Sequence, residues 1–161
     1  MSRILWLIIL LLIASGSYML LHGEGTKPIA FRTVPNPEQW VFSDEPAYLV
    51  VTEKNWSQYY KSPPKGSDFA TCIYIVASMG VKPNPGYKIR ILQIQQQKDR
   101  VTIKVELGEP DPKRVYPQVI VRPCAVAEVA KADLQRYDLL RFVFTDQKGR
   151  QISTVKAEIY R

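Results

Sequence analysis

Histidine occurs once in the 161 residues, as His22, and cysteine twice, as Cys72 and Cys124. Those shortages remove whole classes of chemistry. Ser-His-Asp and Cys-His arrangements need an imidazole as base, and His22 sits at the margin of an apolar run, so the folded domain has no such triad. A histidine-based metal site falls for the same reason, and two cysteines without a nearby histidine cannot complete the usual four-ligand zinc set. No cofactor is expected. Internal repeats are lacking too, since Pro-Asn-Pro at 35–37 and 83–85 is too short to count as one. No basic run interleaved with aromatics marks a nucleic-acid partner. Acidic residues are outnumbered, 15 against 22 Lys and Arg, for a formal charge of +7. That balance disfavours basic partners; it either favours anionic lipid head groups and wall polymers or simply keeps the domain soluble.

Charge is wholly absent from Ile4 to Leu21, with Arg3 standing before it. The centre, Ile4 to Ile13, has the length of a signal-peptide core, and Ala14-Ser15-Gly16-Ser17 offers small residues for cleavage. Tyr18 to Leu21 prolongs the run towards the roughly 20 residues that span a bilayer. Residues 1–24 therefore read as a signal peptide or an uncleaved signal anchor. The positive residue before the run favours sending the remainder across, to the extracytoplasmic side. Residues 25–46, broken by Pro28, Pro35, Pro37 and Pro46, read as a tether and lead-in, with short edge strands at 29–34 and 39–42.

The remainder, 47–161, has material for one domain, rich in Val, Ile and Tyr. We expect a mainly β (α+β) fold, a small antiparallel β-sandwich or partly open barrel with one short amphipathic helix, preceded by the N-terminal membrane helix. Ala47 to Val51 reads as a strand. Thr52 then reads as an N-cap, before a helix that carries Trp56, Tyr59 and Tyr60 on one face. Ala70 to Ser78 is apolar enough for a central strand. Tyr87, Ile89 and Ile91 alternate until Leu92 and Ile94 shift register, which implies a bulge. Val101 to Leu107 alternates cleanly, so its strand has one wet face. Gln118–Val121 and Ala125–Val129 read as strand pieces around Pro123. Leu139–Thr145 and Gln151–Ile159 flank Asp146-Gln147-Lys148-Gly149-Arg150, a hairpin turn. In an exported chain Cys72 and Cys124 could be bridged, if within about 7 Å, or could remain two buried thiols. Glu109 and Asp111 are the nearest carboxylate pair, but they alternate with prolines as in a solvated turn.

Beyond these patterns, Gly80-Val81-Lys82-Pro83-Asn84-Pro85-Gly86-Tyr87 follows the strand Ile73–Met79. Two alternating strands later come Pro110, Pro112, Gln118, Val119, Ile120, Pro123, Val126, Val129 and Lys131, without a gap. In this order the residues resemble the C-terminal domain family of PrcB-type protease complex subunits, exported bacterial accessory proteins. That family runs a hydrophobic strand into a G-x-K-P-T-G-G-Y turn, then a P-x-P loop, then Gln, a hydrophobic pair and Pro before a Val-rich strand ending in Lys. Asn84 and Pro85 depart from the turn. The resemblance covers about residues 48–131, with Trp56, Tyr59 and Asp68-Phe69 as weaker features, and leaves the hairpin of 139–160 outside.

The resemblance implies a non-catalytic accessory subunit that binds and stabilises or assists a secreted protease complex. Its binding residues would be Lys82, Asn84, Gly86, Tyr87 and Gln118. The turn also reads as architecture alone, with Gly86 supplying backbone freedom, Lys82 a donor and Tyr87 a core aromatic. A different class is a cell-surface module that binds anionic wall polymer or lipid head groups by charge. A third is a hydrolase working through Glu109 and Asp111.

Overall fold

Among the described residues the alternation of apolar and polar side chains becomes nine strands in two stacked sheets. The computed structural model describes residues 25–35, 44–61 and 66–160. The expected membrane segment at 1–24 and the expected strand at 39–42 lie outside the described residues. Among the described residues no helix is long and apolar enough to cross a membrane. In chain order the elements are β1 (Lys27–Pro28), β2 (Arg32–Val34), β3 (Ala47–Val51), α1 (Trp56–Tyr59), β4 (Cys72–Ser78), β5 (Lys88–Gln97), β6 (Arg100–Gly108), β7 (Cys124–Ala130), β8 (Leu140–Thr145) and β9 (Gln151–Ala157). Five strands form a first sheet in the order β1-β5-β6-β8-β9, and four form a second in the order β2-β7-β4-β3. The two do not close into a barrel.

Each sheet contributes one face to the main core. Ile73, Ile75 and Ala77 of β4 and Ala127 and Val129 of β7 meet Val101, Ile103 and Val105 of β6 and Leu140, Phe142 and Phe144 of β8, nearly all of them fully buried. The long apolar run of β4 has a second use. Its other face, Tyr74 and Val76, joins Val51, Val126, Tyr60 and Phe69 in a smaller core on the outer side of the second sheet. Phe69 is the hub, 5.0 Å from Tyr74 edge-on and 6.1 Å from Trp56 in a stacked pair. A strand buried on both faces needs no polar alternation, which is why β4 reads as continuous hydrophobic sequence.

Several expectations need correction. The sheets are not wholly antiparallel, because β6 and β8 pair in parallel, Arg100 opposite Arg141 through Lys104 opposite Thr145. The reason is topological. The chain leaves β6, runs β7 through the other sheet and returns, and such a long connection permits the parallel sense a tight hairpin forbids. The Leu140–Ala157 hairpin is therefore part of the core rather than an appendage. Thr52 does not cap α1. Asn55 occupies that position without a side-chain cap bond, its Oδ1 accepting instead from the Thr52 amide at 2.7 Å while its Nδ2 donates to the Val50 carbonyl at 3.0 Å. The helix lasts one turn. Of the expected strand at 29–34 only β2 forms, pairing with β7; β1 precedes that span and pairs with β5, and Ile29 between them is buried. Residues 118–120 form no strand; only Val121 makes an isolated bridge, to Lys82. Pro117 and Pro123 lack the amide donors a ladder needs.

Cys72 and Cys124 are free thiols at opposite ends of the β4–β7 pair, Cys72 beside Ala130 and Cys124 beside Ser78. Six residues of antiparallel strand separate them, about 20 Å and far beyond disulfide reach. The bulge in β5 is present between Ile91 and Gln93, and Gly149 takes a left-handed φ of 81° in the β8–β9 turn.

Candidate functional site

At one end of the sandwich the segment 80–87 joins β4 to β5, and the loop 109–123 joins β6 to β7. Both are proline-rich, so little of either can enter a ladder, and each is held by the other. Lys82 and Val121 exchange both backbone bonds at 2.9 Å. Tyr116 Oη accepts the Asp111 amide at 3.1 Å, bracing the loop from within. The Arg122 guanidinium donates to Asp44 at 2.8 Å, and the Asp44 carbonyl accepts the Val81 amide at 2.9 Å. The segment before β3 thereby joins the same cluster.

Within the turn, Asn84 Oδ1 accepts the Gly86 amide at 3.0 Å, an Asx turn made by the residue that departs from the family's Thr. Gly86 is buried without a positive φ, so its requirement is space. A Cβ there would lie 2.8 Å from Pro110 Cβ, 2.9 Å from Asn84 Oδ1 and 2.9 Å from Tyr116 Cε1. The Lys82 ammonium lies 5.4 Å from the centre of the Tyr87 ring, within cation–π reach. Tyr87 is half-buried, a lid over that cation rather than a core aromatic.

Lys82, Asn84, Gly86 and Tyr87 are thus one unit. Gln118 stands on the facing loop, exposed. Its neighbours matter more than the sequence indicates. Val119 and Ile120 are 55% and 69% exposed, and Val115 on the same loop is fully exposed. Three large apolar side chains thus stand outside the core on one loop, a loop bonded to the turn at Val121 and braced internally at Tyr116. An apolar pair in a β-type stretch reads as buried strand, which hid them from a reading of pattern alone.

A pocket of about 610 Å³ is lined by Lys88, Ile89, Arg90, Glu106, Gly108, Pro123 and Cys124. The Arg90 guanidinium donates to Glu106 at 2.7 Å across its wall. Burial pushes the Cys124 thiol up to about 12, so it stays protonated and weakly nucleophilic. Glu109 is exposed, and Asp111 closes a small turn by accepting the Lys113 amide at 2.9 Å and facing Arg114 at 3.5 Å. Among the described residues no group of three or more His, Cys, Asp and Glu is placed to hold a metal. The arrangement brings together exposed apolar side chains on a braced loop, a cation under an aromatic ring, and a recess of mixed polar and apolar lining.

Residues 73–130 match a protein family described as PrcB C-terminal. The matched stretch runs from β4 to β7, taking in the turn and the loop but leaving out β3, α1, β8 and β9. No curated protein and no solved structure matches the chain.

Proposed function

Taking as premise that residues 73–130 match the PrcB C-terminal family, we propose that this chain is a non-catalytic accessory subunit. It docks onto a component of a protease complex on the extracytoplasmic side of a membrane, to which residues 1–24 direct it. The observation that carries the reading is the exposure of three apolar residues, Val115, Val119 and Ile120, on a loop whose backbone is bonded at Val121 to Lys82 of the turn. An ordered loop gives up little conformational entropy on binding, so its exposed apolar groups convert efficiently into affinity. Lys82, Asn84, Gly86 and Tyr87 set the loop's position, Gln118 adds a polar contact at its centre, and the recess at Lys88 and Arg90 takes an acidic side chain of the partner. The scarcity of imidazole and the turn-forming roles of Asp111 and its neighbours support a binding rather than a hydrolytic role.

The test is capture from native membranes with the tagged full-length chain, comparing wild type with Ile120→Asp. A protease component retained through high salt by wild type and lost from the variant supports the reading. Equal retention by both, or recovery of wall polymer and lipid alone with release by salt, overturns it.

A further inference from the structure

The outer face of the five-stranded sheet carries charged side chains, with Val143 and Thr145 buried in its middle, whereas that of the four-stranded sheet lies under Phe69, Tyr60 and Trp56. Burial alternates along β6, with Val101, Ile103 and Val105 inward, so the register assigns the outward positions of every strand. Among the described residues these carry Lys88, Arg90, Arg100, Lys104, Arg141 and Lys156 against one carboxylate, Glu106. Asp99, in the β5–β6 turn, binds the Arg141 guanidinium at 2.8 Å.

Three of the cations form a row. Arg100 is opposite Arg141, and Arg141 is opposite Lys156. Strands about 4.8 Å apart place the three within about 10 Å. Like charges directly opposite destabilise a sheet, an effect that the Asp99 carboxylate offsets at Arg141. The row also lies where the chain enters the domain. Lys27 of β1 pairs with Gln96, and the next residue, Gln97, pairs with Arg100. Only residues 22–26 separate Lys27 from the uncharged run ending at Leu21, a reach of at most about 22 Å. A run embedded in lipid therefore holds the row close to the head groups.

We propose that this face docks on anionic phospholipid head groups, with Arg100, Arg141 and Lys156 as the principal contacts. The proposal rests on the membrane-directed reading of residues 4–21 and is independent of the protease-complex reading. A lipid surface fits better than an acidic protein because the face is broad and carries Gln95, Thr102, Val143 and Thr154 between its cations, with no aromatic side chain among these described positions, where a protein interface would place aromatic anchors.

The experiment reconstitutes the full-length chain in vesicles of phosphatidylcholine, with or without about one third phosphatidylglycerol. Acylation of Lys156 by a water-soluble reagent is read by mass spectrometry, with Lys113 on the far loop as internal control. Lys156 should be protected only in the anionic vesicles and recover in 0.5 M salt, while Lys113 stays reactive throughout. Each cation near the surface is worth roughly fivefold, so Arg100→Gln with Arg141→Gln should lower the ratio of docked to undocked domains by about 25-fold. Equal Lys156 reactivity in both lipids, in chains that float with the vesicles through high salt, overturns the docking while leaving the anchor intact. Failure to float overturns the anchor and the proposal together. Protection that ignores lipid charge but needs an added acidic protein assigns the face to that protein instead.

Discussion

Replacing Gly86 by alanine tests the geometry of the site directly. The added carbon would meet Pro110 Cβ at 2.8 Å and Tyr116 Cε1 at 2.9 Å, against an ordinary carbon–carbon contact of roughly 3.5–4.0 Å. Relief needs the loop to withdraw by about 0.6 Å or more, and the loop is not free to do so. The paired Lys82–Val121 bonds hold one end, and the bond between Tyr116 and Asp111 holds the ring. Overpacking at such a position costs about 1–3 kcal/mol. Alanine also restricts the unfolded chain and returns about 0.4–1 kcal/mol. The expected net change is a loss of about 0–2.6 kcal/mol, and relative to a glycine-to-alanine control with the same unfolded-chain return it is about 1–3 kcal/mol, read as a lower urea midpoint at unchanged slope. Gly25→Ala is the control, since a Cβ there meets nothing within 4 Å and the φ is not left-handed. Combining Gly86→Ala with Tyr116→Ala should cost less than the sum of the single changes, because removing the ring makes room for the new methyl. If Gly86→Ala is as stable as Gly25→Ala, or if the double variant is strictly additive, the claim that turn and loop form one packed unit is refuted.

Three further outcomes follow from the fold. Phe144→Ala should cost about 3–5 kcal/mol in urea unfolding, because Phe144 is fully buried and touches Tyr48 across the sheets at 5.2 Å between ring centres; a loss below 1 kcal/mol would mean that the C-terminal hairpin is not part of the core. Gln96→Leu should cost about 1–3 kcal/mol by the same measurement, since the buried amide donates to the Lys98 and Gln135 carbonyls at 2.8 and 3.0 Å and accepts the Gln135 amide at 2.7 Å, groups that leucine would leave unsatisfied. Acid should destabilise the domain: bonds from the Thr71 hydroxyl hold Asp68 low, and the Arg141 side chain does the same for Asp99. At Asp146 burial pushes upward but is outweighed by the Arg150 side chain and the Arg150 and Lys148 amides. Depressed folded-state values stabilise above the ordinary carboxylate value of 3.8 and lose that contribution as pH falls below it. Thermal midpoints should therefore decline below about pH 4, and Asp99→Asn should shrink the decline; an unchanged acid profile would count against the pairing.

Much of the fold is legible in the sequence. β3 lies at 47–51 as expected, β6 alternates as Val101 to Leu107 predict, β4 reads as a central strand because it is buried on both faces, and the bulge after Ile91 follows from the loss of period two at Leu92. The turn is legible too, since its prolines and Gly86 stand in an order that patterns of composition do not produce. What local pattern cannot carry is the pairing of distant strands. Periodicity says which residues share a face, not which strand lies alongside, so nothing local announces that β8 joins β6 in parallel or that Cys72 and Cys124 sit at opposite ends of one strand pair. The same gap hid Gln96, which the bulge turns inward and the segment at 135 satisfies. It also hid Val119 and Ile120, apolar residues left outside because Pro117 and Pro123 deny their backbone a ladder. The sequence by itself determined β3, β4 and β6, the alternating faces of β6 and the proline-marked turn, all of which depend on neighbours two to eight residues away. Tertiary structure alone decided the register between sheets, the cation row and the exposed loop, because those depend on contacts between residues tens of positions apart.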